Sequence, residues 1–350
     1  MKTLTTSKIA IFFYFVLTKF LLFVGFILLL SIFSAVVQSE KLCPPTSILG
    51  KNCICYEETL NMLCTALDQE WIKMFKPEKL YEINILVIKD SPNLPLFGKK
   101  FQVGNHPTGV SYKSLIIYVK THNIERKSFN SLISGATDTL EVKVETPNML
   151  EIDCLFLNDK LKSISLSNVK VTNLDKFSLD KLRKIHSLIL NSVTFENEID
   201  FNFIRSETLT RIEIFSCTSL KGTFQYIPPA VCPVHPIVLN FKNNLNLKHF
   251  DMSRLFNNKS CQYNIDLSGS NLNSSFFLEN QKYIDKANTP DQLNIVLRDV
   301  DGLVCNQCTL RWYLMFPGHM HSVQCKGING TQMSLDKLKL SELPFAICEH

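Results

Sequence analysis

Short apolar segments of the form apolar-x-apolar recur along the chain at a nearly constant interval. Their first members are Ile85, Leu115, Val142, Ile164, Leu188, Ile212, Leu239, Ile265 and Ile295. The intervals between them run from 22 to 30 residues. Because a strand sends alternate side chains to opposite faces, each unit predicts one short strand with two apolar side chains in a core. Such repetition predicts a solenoid, in which every unit packs against its neighbours.

The first 39 residues differ in composition from the rest of the chain. Two lysines precede an apolar stretch from Ile9 to Val37. This arrangement, with small residues at the last and third-last positions, predicts a cleaved signal peptide over 1–39. The segment Phe20–Val37 also approaches the ~20 residues that span a bilayer, so an uncleaved signal anchor is the alternative. In both cases residues 40–350 are expected to face an oxidising, extracellular compartment, and a membrane is involved only if the segment is retained.

All twelve cysteines lie beyond this segment, as expected of disulfide bonds in an exported chain. Eight form two clusters, which are Cys43, Cys53, Cys55 and Cys64 at the start and Cys305, Cys308, Cys325 and Cys348 at the end. A solenoid has two open ends, so the clusters predict cysteine caps over 40–75 and 305–350, with repeats over 76–304. Spacing alone leaves three pairings open for each cluster.

The four remaining cysteines lie between the caps. Cys232 and Cys261 precede neighbouring strands, which predicts a bridge between adjacent coils. Cys154 and Cys217 are two to three coils apart, and strands spaced by ~5 Å put them beyond the reach of a disulfide. We expect these two to be buried thiols.

Three N-glycosylation sequons agree with an extracellular compartment. They begin at Asn258, Asn273 and Asn329. Each predicts a glycosylated asparagine on a surface loop.

Together these features resemble the extracellular leucine-rich repeat family, whose units follow L-x-x-L-x-L-x-x-N/C-x-L. The segment 209–214 has the first part of that unit, and Cys217 and Asn244 fit its N/C position. Residues 305–314 resemble the family's C-terminal cap, C-x-C-x-L-x-W-L, with one residue inserted. The resemblance implies an α/β solenoid, that is, a leucine-rich repeat horseshoe of about nine irregular repeats with a parallel β-sheet on its concave face and disulfide-bonded caps.

The resemblance also implies a disulfide pairing and a role. The implied bridges are Cys43–Cys55, Cys53–Cys64, Cys305–Cys325 and Cys308–Cys348. Within the family the chain is most similar to secreted arthropod-type members, such as the leucine-rich non-catalytic subunit of the decapod shrimp luciferase. That similarity implies a scaffold or companion role and not luciferase chemistry.

The concave face of a solenoid offers an extended surface, here about 40 Å across nine strands spaced by ~4.8 Å. The candidate binding residues on it are Glu141, Lys143, Arg211, Glu213, Asn240 and Asp266. Both signs of charge are present, which disfavours nucleic acid and favours an extracellular protein partner. The alternative is an ordinary solvated sheet face whose partner binds elsewhere.

The sequence gives little support to catalysis. It has no G-x-S-x-G, H-E-x-x-H, Walker or G-x-G-x-x-G motif. Zinc at the last cluster is disfavoured because Cys325 and Cys348 are far apart and export favours disulfides. We therefore expect no enzyme activity, cofactor or metal, and predict an extracellular protein-binding module. The alternatives are a membrane-anchored, receptor-like ectodomain and a non-catalytic companion subunit of an extracellular enzyme complex.

Overall fold

The computed structural model describes residues 43, 53–65, 81–89, 110–119, 133–145, 150–173, 184–204, 208–255, 261–272, 276, 280, 283, 292–298, 300, 303–315, 324–327 and 329–339. Within these residues the chain forms a β-solenoid built from parallel sheets. This confirms the predicted solenoid.

Nineteen strands are present in the described residues. They are β1 (Cys53–Tyr56), β2 (Asn61–Cys64), β3 (Tyr81–Lys89), β4 (Val110–Val119), β5 (Ala136–Val144), β6 (Glu151–Asp153), β7 (Ser163–Ser167), β8 (Lys170–Thr172), β9 (Ser187–Asn191), β10 (Thr194–Asp200), β11 (Arg211–Phe215), β12 (Thr218–Gln225), β13 (Ile237–Asn240), β14 (Leu247–Asp251), β15 (Tyr263–Asp266), β16 (Leu293–Val296), β17 (Leu303–Val304), β18 (Gln324–Lys326) and β19 (Gln332–Ser334). The helix α1 (Gln307–Met315) follows β17.

The strands form three sheets. The front sheet has eleven strands in the order β1-β2-β3-β4-β5-β7-β9-β11-β13-β15-β16, and the back sheet has five in the order β14-β12-β10-β8-β6. The end sheet has the order β17-β18-β19. Five consecutive coils, from β5 to β14, therefore pass from the front sheet to the back sheet.

The described return limbs of these five coils are β-strands and not the helices that an α/β solenoid implies. Their described return limbs are back-sheet strands and short 3₁₀ turns, such as Cys154–Phe156 and Phe201–Ile204. The return limbs pair with one another, as in the parallel register of β8 with β10. Strand pairing on both limbs satisfies the backbone polar groups that a helix would otherwise satisfy internally.

The strand at the first predicted unit has the opposite phase to the one expected. Leu86 and Ile88 are buried, whereas Ile85 and Val87 are half-buried on the other face. The physical reason is the nearly continuous apolar run from 83 to 88, which places apolar side chains on both faces. An alternation without polar residues does not define which face is the core.

The third unit is shifted by two residues from its predicted position. Leu140 and Val142, not Val142 and Val144, pair with Ile164 and Leu166 of the next front-sheet strand. Leu140, Val142 and Val144 are all buried, so the sequence offered two equivalent pairs.

Buried side chains follow one spacing through successive coils. In the coils of β7, β9 and β11 the buried set is Leu161, Ile164, Leu166, Val169 and Val171, then Ile185, Leu188, Leu190, Val193 and Phe195, then Leu209, Ile212, Ile214, Cys217 and Leu220. The first three members of each set have the spacing L-x-x-L-x-L. In the coils of β13 and β15 the first interval shortens to two residues, from Ile237 to Leu239 and from Tyr263 to Ile265.

Left-handed residues end five consecutive front-sheet strands at the same position. They are Asn168, Ser192, Ser216, Asn243 and Gly269, with φ between 50° and 65°. Each backbone N–H donates to the next coil, as in Asn168 to the carbonyl of Asn191 at 2.9 Å. Asparagine and glycine tolerate this conformation better than most residues, and the shared position stacks the turns in register.

Aromatic rings fill the space between the two sheets at the coils of β11 to β14. Phe224 lies at the centre, with ring centroids 4.5 Å from Phe241, 5.4 Å from Phe250 and 6.5 Å from Tyr226. All four side chains are buried. The tilted and edge-to-face geometries are those that aromatic pairs prefer.

Disulfides lie at both ends of the solenoid and in its middle. The structure contains Cys43–Cys55, Cys53–Cys64, Cys232–Cys261 and Cys305–Cys325. These are four of the five bridges expected from the sequence. Cys348 and the side chain of Cys308 lie outside the described residues, so the fifth bridge stays a prediction.

The N-terminal cysteine hairpin is continuous with the front sheet. β1 pairs antiparallel with β2, and β2 pairs parallel with β3, with Met62 opposite Leu86 and Cys64 opposite Ile88. The hairpin therefore covers the first apolar coil with its own buried residues while extending the front sheet by two strands. The predicted cap boundaries themselves stay predictions.

Candidate binding face

The outer face of the front sheet carries the side chains that alternate with the buried pairs. These side chains form rows that cross the strands, of which two are named here the centre row and the exit row. The centre row is Leu63, Val87, Ile116, Glu141, Ser165, Ile189, Glu213, Asn240, Asp266 and Val296. The exit row lies two residues further along the chain and is Lys89, Tyr118, Lys143, Ser167, Asn191, Phe215, Lys242, Ser268 and Arg298. Its last three members follow the ends of β13, β15 and β16, and Ser268 is buried.

All six predicted binding residues lie on this outer face. Four of them, Glu141, Glu213, Asn240 and Asp266, stand in the centre row, and Lys143 stands in the exit row because of the shifted register of β5. Arg211 precedes the centre row by two residues on β11. The prediction that these residues share one surface is therefore consistent with the structure. Leu86 would also lie on this face if Ile85 and Val87 were the core pair, but it is buried in the core.

An apolar patch occupies the first four strands of the same face. Its members are Ile54, Tyr56, Leu63, Ile85, Val87 and Ile116. Ile54 is 58% exposed and Tyr56 53% exposed, and the other four are half-buried. Ile54 stands opposite Leu63, Leu63 opposite Val87, and Val87 opposite Ile116. Contiguous exposed apolar surface of this kind is typical of interaction sites.

Each carboxylate on the face has a partner within the protein. Tyr118 donates its hydroxyl hydrogen to Glu141 at 3.0 Å, and Arg211 forms an ion pair with Glu213. Burial and then the hydrogen bond to Glu141 raise the pKa of Tyr118. Asp266 accepts a hydrogen bond from the backbone N–H of Ser268 at 2.9 Å.

Asn240 and Asp266 lie on the outer face, and their side chains also stabilise the turns that follow their strands. Asn240 accepts from the N–H of Lys242 at 3.2 Å in the same way that Asp266 accepts from Ser268. A side-chain oxygen bonded to the N–H two residues later stabilises a tight turn. Their place at a strand end is therefore explained by the fold without a ligand.

Four exposed cations in the exit row have no such partner. Lys89, Lys143, Lys242 and Arg298 are exposed. None of their charged groups forms an ion pair or hydrogen bond within the part of the chain that the structure describes. Of these four, only Lys143 was predicted from the sequence, because the other three share a row only when the register of the strands is known.

A ladder of side-chain hydrogen bonds holds the turns behind this face. The thiol of Cys217 lies 3.6 Å from the carbonyl of Leu190, the amide of Asn244 donates to Ile214 at 2.6 Å, and the hydroxyl of Ser270 donates to Phe241 at 2.9 Å. All three donors stand at the N/C position of the repeat and bond the preceding coil. The serine shows that a third residue type fills this position.

The two thiols outside disulfides, Cys154 and Cys217, are buried, as predicted. Burial raises the pKa of each from 9.0 to about 12. Because the folded protein holds these thiol protons more tightly than the unfolded chain, their stabilising contribution is full below pH 9 and is lost as pH rises toward 12.

Alkylation should report this difference. At pH 8 we expect iodoacetamide to modify Cys154 and Cys217 about a thousandfold more slowly in the folded protein than in urea, because thiolate is the reactive form. Mass spectrometry of the unreduced protein measures both rates. Rapid modification of either cysteine before unfolding would contradict the buried placement.

The predicted glycosylation sites are described only in part. Asn329 and Thr331 of one sequon are exposed between β18 and β19. Asn258 and Asn273 lie outside the described residues, as does the whole of 1–39. Glycosylation therefore stays a prediction.

Two kinds of feature are absent from the described ranges. No helix there is long and apolar enough to cross a membrane. No group of three or more His, Cys, Asp or Glu side chains is arranged there to hold a metal ion.

Comparison with known proteins gives no identification. No protein-family model matches the chain, and no curated protein is significantly similar to it in sequence.

Proposed function

We propose that this chain is a secreted leucine-rich repeat protein that binds another extracellular protein through the outer face of its front sheet. The observation that carries the proposal is the surface itself, an apolar patch continued by charged rows across a rigid sheet. Eleven strands spaced by ~4.8 Å and three side-chain rows give a face of roughly 800 Å². That is about the area each partner buries in a standard protein interface.

The repeat identity rests on the buried residues. The spacing L-x-x-L-x-L recurs in the coils of β7, β9 and β11, and the N/C position is buried in each of them. Cys217, Asn244 and Ser270 then bond the preceding coil from that position. Back-sheet strands in place of helices distinguish these coils from the horseshoe implied by the resemblance, and a sheet on both limbs favours a straighter stack.

Secretion is supported by the four disulfides, since disulfides persist in oxidising compartments. N-terminal sequencing of the exported protein tests the signal peptide. A first residue of Glu40 supports the secreted form, and an intact segment 1–39 in a membrane fraction supports the anchored, receptor-like alternative.

Position-resolved crosslinking tests the binding face. A photo-crosslinking side chain placed at Ser165, half-buried at the centre of the outer face, should yield a covalent adduct with a protein of the native extracellular fluid. The same group placed at Glu196, exposed on the back sheet, is the control and should yield none. Adducts at the control position alone would contradict the proposal. An adduct with a stoichiometric enzyme would assign the companion-subunit role.

A further inference from the structure

We propose that the partner is an acidic protein segment with an apolar anchor, which seats the anchor on the apolar patch and runs its carboxylates along the exit row. The inference rests on the proposed function, because it specifies the chemistry of the protein that the outer face binds. Two independent observations carry it: the charges the face leaves unpaired and the size of its apolar patch.

The unpaired charge of the face is positive. Across the centre row, the exit row and the row two residues before the centre row, which contains Arg211, the cations outnumber the carboxylates five to three. Glu141, Glu213 and Asp266 are all bonded within the chain, and Arg211 is the one cation that shares in this pairing. The charges left available to a partner are therefore the four exit-row cations. Complementary charge sets the register and the partner preference of an interface.

The spacing of these cations suits an extended chain. Register places Lys89 and Lys143 two strands apart. Lys242 and Arg298 follow the paired residues Asn240 and Val296 by two positions, so the same register places Lys242 four strands beyond Lys143 and Arg298 two strands beyond Lys242. At ~4.8 Å per strand the intervals are about 10, 19 and 10 Å. A peptide crossing the strands with a rise of ~3.3 Å per residue would match them with carboxylates separated by about three, six and three residues.

The patch lies at one end of this row. Val87 stands two residues before Lys89 on β3, and Ile116 stands two residues before Tyr118 on β4. An apolar anchor seated between them would place the following residues of the ligand at Lys143. The carboxylates and the anchor thus belong to one continuous segment.

The size of the patch argues for a heterologous partner. Four strands by two rows cover on the order of 200–300 Å². A stable homodimer through this surface alone would bury well under the ~800 Å² per partner of a standard interface. The patch therefore fits an anchoring site within a larger contact, which the exit row extends across the sheet.

Selection from phage-displayed random 16-residue peptides on the full-length secreted protein tests the inference. We expect the selected peptides to be rich in Asp and Glu, with an aromatic or branched apolar residue at one end. Synthetic peptides from the selection, and the same sequences with Asn and Gln in place of Asp and Glu, are then the probes. The amide versions should bind about tenfold more weakly, since each exposed ion pair contributes little alone.

Two variants locate the site. The double variant Lys143→Glu with Lys242→Glu should weaken binding of the acidic peptide by about tenfold or more. Lys160→Glu with Lys326→Glu changes the net charge equally at exposed positions away from the face and should leave the affinity unchanged. Ile54→Ser removes an exposed side chain of the patch without touching the core and should weaken the acidic and amide peptides alike.

Several results would overturn the inference. They are a basic or uncharged selected pool, equal effects of the two charge-reversed variants, or no enrichment over the starting pool. Binding of heparin to the exit row, with no binding of any peptide, would also overturn the inference, because the ligand would then be a sulfated glycan. The crosslink at Ser165 decides the proposed function separately, so an acidic partner can fail while protein binding on this face stands.

Discussion

Asn244→Leu should lower the free energy of unfolding by about 3–5 kcal/mol, although leucine matches asparagine in size. The buried Asn244 amide donates to the carbonyls of Ile214 at 2.6 Å and Phe241 at 2.9 Å, and its oxygen accepts from the N–H of Cys217 at 3.2 Å. Leucine would leave the Ile214 carbonyl and the Cys217 N–H without these partners in the core, and the Phe241 carbonyl would keep only its hydrogen bond from Ser270. An unpaired buried polar group costs about 1–3 kcal/mol.

Urea titration followed by circular dichroism measures the change. Asn246→Leu is the control, because Asn246 is exposed two residues away, and it should alter stability by less than about 0.5 kcal/mol. Equal effects of the two variants would show that the side chain of Asn244 does not join the coils. Asn280 makes the same kind of contacts, with Met252, Phe250 and Phe276, and its replacement should behave like that of Asn244.

Phe224→Ala should destabilise the protein by about 3–5 kcal/mol, the range found for large-to-small changes in well-packed cores. Its ring is 1% exposed and lies within 5.4 Å of both Phe241 and Phe250, measured between centroids. The neighbouring strands belong to both sheets, so their backbones can close only part of the cavity. The loss should appear in the thermal midpoint and in urea.

Phe215→Ala is the matched control. Phe215 is half-buried in the exit row and is no part of the aromatic core. Its removal should cost about 1 kcal/mol or less, because solvent already reaches the ring. If Phe224→Ala were as mild as this control, the two sheets would not share a close-packed core.

Strand positions were predictable from the sequence where the pattern of apolar and polar residues repeats. The front-sheet strands β7, β9, β11, β13, β15 and β16 were placed correctly, because polar residues such as Ser165 and Glu213 separate most of their apolar pairs and fix the phase. Cysteine positions also carried information, since Cys232 and Cys261 each precede adjacent strands. The structure joins them.

Other features left no usable pattern in the sequence. The run 83–88 is apolar on both faces, so its phase depends on pairing with β4, which only the folded chain specifies. Back-sheet strands such as β8, Lys170–Thr172, are three residues long, too short for a periodic signal. These strands form because the neighbouring coils place them side by side, where their backbones can pair.

The candidate face was predictable in outline and not in detail. Centre-row residues followed from alternation, but the apolar patch includes Ile54 and Tyr56, which lie in the cysteine hairpin and were assigned to a cap. The pairing of β2 with β3 makes that hairpin part of the outer face of the front sheet. The exit-row cations became visible once the register aligned them.

Hydroxyl-radical footprinting of the protein with its native partner tests the central claim most directly. The outer face carries oxidisable side chains at Ile54, Tyr56 and Phe215, and exposed apolar residues elsewhere provide internal references. Those references are Leu155, Val231, Val234, Leu245 and Met333. We predict that binding protects the three outer-face side chains and leaves the references unchanged. Protection of Val231 and Val234 with an unaltered outer face would place the partner elsewhere and contradict the account.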